Sequence, residues 1–195
     1  MVDWRYPLWL GHKAIINYCN RPFSSVEEMN NTLIKNWNSV VNKHDKVIVA
    51  GDFALCGKDK IIEIGQKLNG KKTLILGNHD RASISTYYEA GFEFVSKYPI
   101  ILDEWYIISH QPKFTPEIGG LYANIYAHVH NDVNYRDYTA MSFCVSAERI
   151  NYTPIEWEVI KERMETYEKE NYCRVSEENQ KFLEWCKSNN KDYPR

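Results

Sequence analysis

Lys46-Val47-Ile48-Val49-Ala50 is an unbroken apolar run that stops at Gly51-Asp52. Helical patterns flank it, from Val26 to Val41 before it and from Lys58 to Leu68 after it. A strand with no polar face must be covered on both sides, which is the situation of a parallel strand between helices. Lys72 to Leu76 repeats the arrangement and stops at Gly77-Asn78-His79-Asp80. Turns at the carboxyl ends of such strands are where an α/β fold exposes functional side chains. Glycine, asparagine and aspartate are ordinary turn formers, so one such turn carries no function by itself. Further along, His110, His128 and His130 also stand just past strand-like runs, Trp105–Ser109 and Leu121–Ala127.

The remaining chain fills in around these ends. Met1 to Tyr6 reads as a possible first strand. Val26, Met29, Leu33, Ile34, Trp37, Val40 and Val41 recur at helical spacing and give one apolar stripe. Ser25 and Glu28 form a capping box in which each side chain can bond the other's backbone amide. A short helix is expected from Arg81 to Ala90, closed by Gly91. Phe92–Val95, Ile100–Leu102 and Met141–Val145 read as strands. After Pro154 the pattern turns helical and charged. Met164, Tyr167, Phe182, Leu183 and Trp185 suggest one or two amphipathic helices docked on the domain, with a partly independent arm as the alternative. Ser176 before Glu177-Glu178 is the expected cap of the last helix. Helix and strand alternate early and short strands cluster in the middle, so two packed sheets with outer helices fit better than one doubly wound sheet.

At 195 residues the chain suits one domain with a sizeable core. A net charge of -2 gives no global basic signal for nucleic acid. No stretch of about 18 apolar residues is present to span a membrane. No secretory signal pattern opens the chain. The five cysteines (Cys19, Cys56, Cys144, Cys173 and Cys186) are odd in number and scattered, which suits reduced thiols and a cytoplasmic setting.

Asp52, Asn78, His110, His128 and His130 combine oxygen and imidazole donors. That mixture suits Mn, Fe, Zn or Ni better than Ca or Mg. His128 and His130 are two apart, so extended backbone would place both side chains on one face. A single histidine is ordinarily a hydrogen-bonded structural residue; five such donors at strand ends point to a metal site. His44 lies at a charged helix end and reads as ordinary. His12 fits helix-start packing as well as a supporting position behind the site.

In order, Gly51-Asp52, Gly77-Asn78-His79-Asp80, Ser109-His110-Gln111-Pro112 and His128-Val129-His130 resemble the calcineurin-like metallophosphoesterases. Gly11-His12, Asn20-Arg21-Pro22-Phe23 and Val145 to Pro154 are similar to its small bacterial and phage members. The resemblance covers roughly residues 8–160. It implies a four-layer α/β/β/α sandwich of two mixed sheets flanked by helices, with residues 1–160 as the catalytic domain and 161–195 as a C-terminal helical extension packed on it. It implies a site for one or two divalent transition-metal ions. Asp52 would bridge them, Asn78, His110 and His128 would complete one site, and His130 would belong to the other. His79 would supply or steady the leaving-group proton; the Asp80 carboxylate, read from its chemistry, could orient Asn78 or His79. The implied reaction is hydrolysis of a phosphomonoester or phosphodiester by an activated water. The substrate would be a small phosphate ester or a nucleotide; nucleic acid is open to the family but unsupported by charge or composition.

One motif departs from the pattern. Counting back from Gly11-His12 puts Pro7 and Trp9 where the family has a metal-binding Asp and His, and Ala127 replaces a glycine. One ion site is therefore expected to be depleted, with Asp3 out of register by four residues. The alternative is a protein that keeps the fold without catalysis and acts by binding.

Overall fold

The computed structural model describes residues 10–188, the side chains at 173–175, 183 and 186 excepted. Pro7, Trp9, Asp3 and the expected first strand lie outside that range. The elements run α1 (Lys13–Tyr18), α2 (Val26–Val40), β1 (Lys46–Val49), α3 (Lys58–Lys67), β2 (Lys71–Ile75), α4 (Ile84–Glu89), β3 (Phe92–Ser96), β4 (Ile100–Leu102), β5 (Tyr106–Ser109), β6 (Ala123–Tyr126), β7 (Ser142–Cys144), a 3₁₀ turn (Ala147–Ile150) and α5 (Trp157–Ser188).

The β1 side chains divide between two cores, as alternation along a strand requires. Val47 and Val49 join Leu74 of β2 against Met29, Leu33 and Trp37 of α2 and Ile61 and Ile64 of α3. Ile48, Ala50 and Ile75 join Ile108, Ile125 and Phe143 of the second sheet, together with Trp157, Ile160 and Met164 of α5. Helices therefore cover one sheet, the sheets share a core, and α5 closes the other side. The first sheet, β1-β2-β3, is parallel throughout its described strands; only the second, β4-β5-β6-β7, is mixed, through the antiparallel β4–β5 pair. Beyond β1, Leu10 pairs with Phe53 and Leu55 through backbone hydrogen bonds of 3.1 and 3.0 Å.

Local chemistry sets the ends. Gly70 and Gly91 turn the chain after α3 and α4 with φ of +92° and +85°, a region open to glycine at little cost. The capping box at α2 forms only in half. Ser25 Oγ accepts from Glu28 N–H at 3.1 Å, but the Glu28 carboxylate turns to the N–H and hydroxyl of Ser24 instead of Ser25 N–H. The serine at position 24 offers two donors where the box offers one. Replacing Ser25 with alanine should still cost about 1 kcal/mol, read as a lower urea midpoint with unchanged slope.

The tail differs from its reading. It is one helix of 32 residues, and Ser176 lies inside it rather than at a cap. Trp157 packs edge-on to Tyr106 at 4.5 Å and, with Ile160 and Met164, is buried. From Tyr172 onward every described side chain is exposed. Phe182 and Trp185 stack on each other at 6.2 Å and remain 45 % and 49 % exposed, so they do not dock on the core as expected. The boundary expected at residue 160 falls within this continuous helix. No helix among the described residues is long and apolar enough to cross a membrane.

Candidate metal centre

Parallel pairing brings the carboxyl ends of β1, β2, β5 and β6 to one edge. Asp52, Asn78, His110 and His128 follow those four ends directly. His110 Nδ1 is 2.9 Å from the Ala50 carbonyl oxygen. A carbonyl only accepts, so Nδ1 carries the hydrogen and a neutral His110 presents a lone pair at Nε2. That Nε2 lies 2.8 Å from Asn78 Oδ1, 3.0 Å from His128 Nδ1 and 3.1 Å from Asp52 Oδ2. Asp52 Oδ1 accepts the His79 N–H at 2.7 Å, whereas no hydrogen bond satisfies the buried Oδ2 among the described groups. Four donor atoms thus point into one small space. A single proton on His110 can serve only one of them, and a buried carboxylate oxygen without a partner is costly. A cation would satisfy the whole set, and Asp52, His110 and His128 are placed to hold a metal ion.

The electrostatics show the same strain. Burial opposes ionisation of Asp52, but the His110 ring 3.1 Å from Oδ2 and the His79 N–H outweigh it and hold the carboxyl below its usual range. Burial disfavours a charged His110, and Asp52 overcomes this and raises it. His128 is pushed down by burial and by its neighbour His110.

Two glycines make the approach possible. A methyl group on Gly77 would sit 2.2 Å from Asp52 Oδ1 and 2.4 Å from Asp52 N, and one on Gly51 would sit 2.5 Å from His110 Nδ1. Asp80 ties the two turns together. Its carboxylate accepts from the N–H groups of Asp52, Phe53 and Gly77 at 2.7, 2.9 and 2.8 Å and from the Tyr87 hydroxyl at 3.3 Å. It is thus committed to the backbone under Asp52 and makes no bond to the His79 ring. The His79 ring instead lies edge-on to His12, 6.4 Å between centroids. His12 itself caps α1 by accepting the Ile15 N–H at 2.9 Å, so it serves helix-start packing while standing beside the site.

His130 belongs to a neighbouring cluster. Its Nδ1 faces the Glu148 carboxylate at 3.2 and 3.3 Å, and with Cys19 these residues bring three donor atoms within 4.8 Å of one another. Arg21 also bonds this carboxylate, through Oε1. Sequence reasoning did not place Cys19, Arg21 or Glu148 at the site. The signal was present, since the segments 20–23 and 145–154 both stood out and they meet in the Arg21–Glu148 pair.

Beside Asn78 and His110 a cavity of about 270 Å³ is lined by Lys97 and Lys113. A second, of about 320 Å³, shares Lys113 and is lined by Phe114, Tyr126 and Tyr135.

Two packed sheets flanked by helices, with Asp, Asn and two His side chains gathered at one edge, make this an α/β sandwich with a candidate metal centre. The calcineurin-like phosphoesterase pattern matches residues 12–193, and the chain belongs to that family. An uncharacterised protein of Methanocaldococcus jannaschii is 35 % identical over 164 residues, spanning 79 % of this chain and 85 % of that protein. The Gene 66 protein of Mycobacterium phage L5 is 42 % identical over 76 residues, 37 % of this chain and 36 % of its own length. A solved structure of a protein of unknown function from Aquifex aeolicus superposes with a TM-score of 0.62 over 83 % of this chain and 99 % of that one, at 20 % identity.

Proposed function

We propose that this chain hydrolyses phosphomonoester or phosphodiester bonds by attack of an activated water in a metal-dependent reaction. The observation that supports it most is the convergence of Asp52 Oδ2, Asn78 Oδ1, His110 Nε2 and His128 Nδ1, with the aspartate oxygen lacking a hydrogen bond. These four residues would hold the ion, and the mixed oxygen and nitrogen set suits Mn, Fe, Zn or Ni. When bound, such an ion polarises phosphoryl oxygens and makes water a nucleophile near neutral pH. Asn78 donates an oxygen without negative charge, which keeps the edge attractive to a phosphate. Lys97 and Lys113 flank that edge and suit an anionic ester. His79 would give a proton to the leaving oxygen.

A nucleotide ester is favoured over a plain alkyl phosphate by the second cavity. Phe114 and Tyr135 offer exposed aromatic faces next to Lys113, the combination on which a base stacks while its phosphate is neutralised.

Elemental analysis after reconstitution with Mn or Zn should show about one tightly held ion per chain, because Pro7 and Trp9 deplete the second position. Absence of metal would refute the proposal. With the ion in place, p-nitrophenyl esters should be hydrolysed, and a thymidine p-nitrophenyl diester should show a lower KM than the methyl analogue. A loaded protein that hydrolyses neither these nor natural nucleotide esters would instead support the binding-protein alternative.

A further inference from the structure

We propose that Glu148, locked in place by Arg21, is a positioning residue for His130: it holds the Nδ1 hydrogen and thereby presents Nε2 to a metal ion. The inference rests on the metal-dependent reading of the neighbouring centre.

Three distant segments build the arrangement. Arg21 follows α1, His130 follows β6, and Glu148 lies in the 3₁₀ turn. The Arg21 Nε and Nη2 atoms both donate to Glu148 Oε1, at 2.9 and 2.8 Å. The Arg21 side chain is fully buried and Glu148 is nearly so. Arg21 is further enclosed by Met29 Sδ at 3.4 Å and the Tyr152 ring at 5.8 Å. A buried guanidinium paired in this way fixes the carboxylate as an acceptor.

An ionised carboxylate has no hydrogen to give, so the His130 Nδ1 facing it must be the donor. The same turn fixes the His130 main chain. Its N–H donates to Ser146 Oγ at 3.1 Å, and its carbonyl accepts from Arg149 Nε at 2.6 Å. Ring and backbone are thus both set by residues 146–149. Histidines that bind metal commonly donate their other ring N–H to a carboxylate, which sets the tautomer and raises ligand basicity.

The competing reading makes Cys19, His130 and Glu148 a metal site in their own right, since their donor atoms cluster. Two observations weigh against it. The Arg21 guanidinium already sits on Glu148, where it would repel a cation. Burial and the Glu148 charge push the Cys19 thiol up to about 12, so a cation there would first have to displace a tightly held proton.

The test reads the imidazole nitrogens directly. Long-range ¹H–¹⁵N spectra of the full, metal-free chain should show His130 with hydrogen on Nδ1. Adding Zn should then shift Nε2 of His130 and leave Nδ1 protonated. Glu148→Gln should weaken the ion that contacts His130 by ~10–100-fold, while the ion held by Asp52, Asn78, His110 and His128 keeps its affinity. A wild-type His130 carrying its hydrogen on Nε2 would overturn the proposal, whether or not the variant folds. So would binding at the main centre with no ion reaching His130 at any concentration. A cobalt–thiolate absorption band abolished by Cys19→Ser would overturn it in favour of the three-residue metal site. Failure of the whole chain to bind metal would count against the underlying reading as well, and is separable because the tautomer is measured without metal.

Discussion

Replacing His79 with alanine should lower metal-dependent hydrolysis of an aryl phosphate or aryl phosphodiester by ~10²–10⁴-fold, the range of a positioned general acid. Metal content should stay at the wild-type level. The geometry separates the two effects. What His79 gives the proposed metal ligands is its backbone N–H, donated to Asp52 Oδ1 at 2.7 Å, and alanine keeps that bond. The ring is not among the atoms that converge on His110 Nε2. It lies edge-on to His12, 6.4 Å between ring centroids. On the proposed ligand set, a group one residue from Asn78 could therefore reach a leaving oxygen without binding the ion. Equal, nonzero rates in wild type and variant would remove His79 from the mechanism. A parallel loss of metal would show that the ring supports the ligands instead.

Gly77→Ala should remove both metal binding and about 3 kcal/mol or more of stability, at the upper end of overpacking effects. The added methyl would meet Asp52 N at 2.4 Å as well as Asp52 Oδ1. A side chain could swing away; a backbone nitrogen held by Asp80 at 2.7 Å cannot. The turns after β1 and β2 must then separate, which pulls Asp52 away from His110. Gly57→Ala is the control, because nothing lies within 4 Å of its added methyl; it should change the urea midpoint little and leave metal content intact. Wild-type metal affinity in Gly77→Ala would show that the two turns are not mechanically coupled.

Periodicity made the helices and strands legible. The α2 stripe and the two-faced apolar runs of β1 and β2 are set by short-range burial, and the structure keeps them. The residues at strand ends could be named because loops after parallel strands are few and short. What could not be read was partnership. Asp80 was legible as a carboxylate able to orient Asn78 or His79, but not as the acceptor of three backbone N–H groups. Glu148 is 127 residues from Arg21 in sequence, and no pattern within either segment states that they meet. The tail failed for a related reason. An apolar pair at helical spacing reports a shared face, but not whether anything covers it, and α5 runs on past the core that buries Trp157.

Asp52, His128 and His130 all have left-handed backbones, with φ of +53°, +64° and +49°. Side-chain-bearing residues adopt that region at a cost of order 1 kcal/mol each. The fold thus stores conformational energy at three of the residues proposed to hold metal, and it adds the mutual repulsion of buried lone pairs. Selection for thermal stability alone would drive these positions toward glycine and erase the donors. Heat resistance and ligand retention therefore pull in opposite directions at these sites, and the free energy of the proposed ion capture would reconcile them.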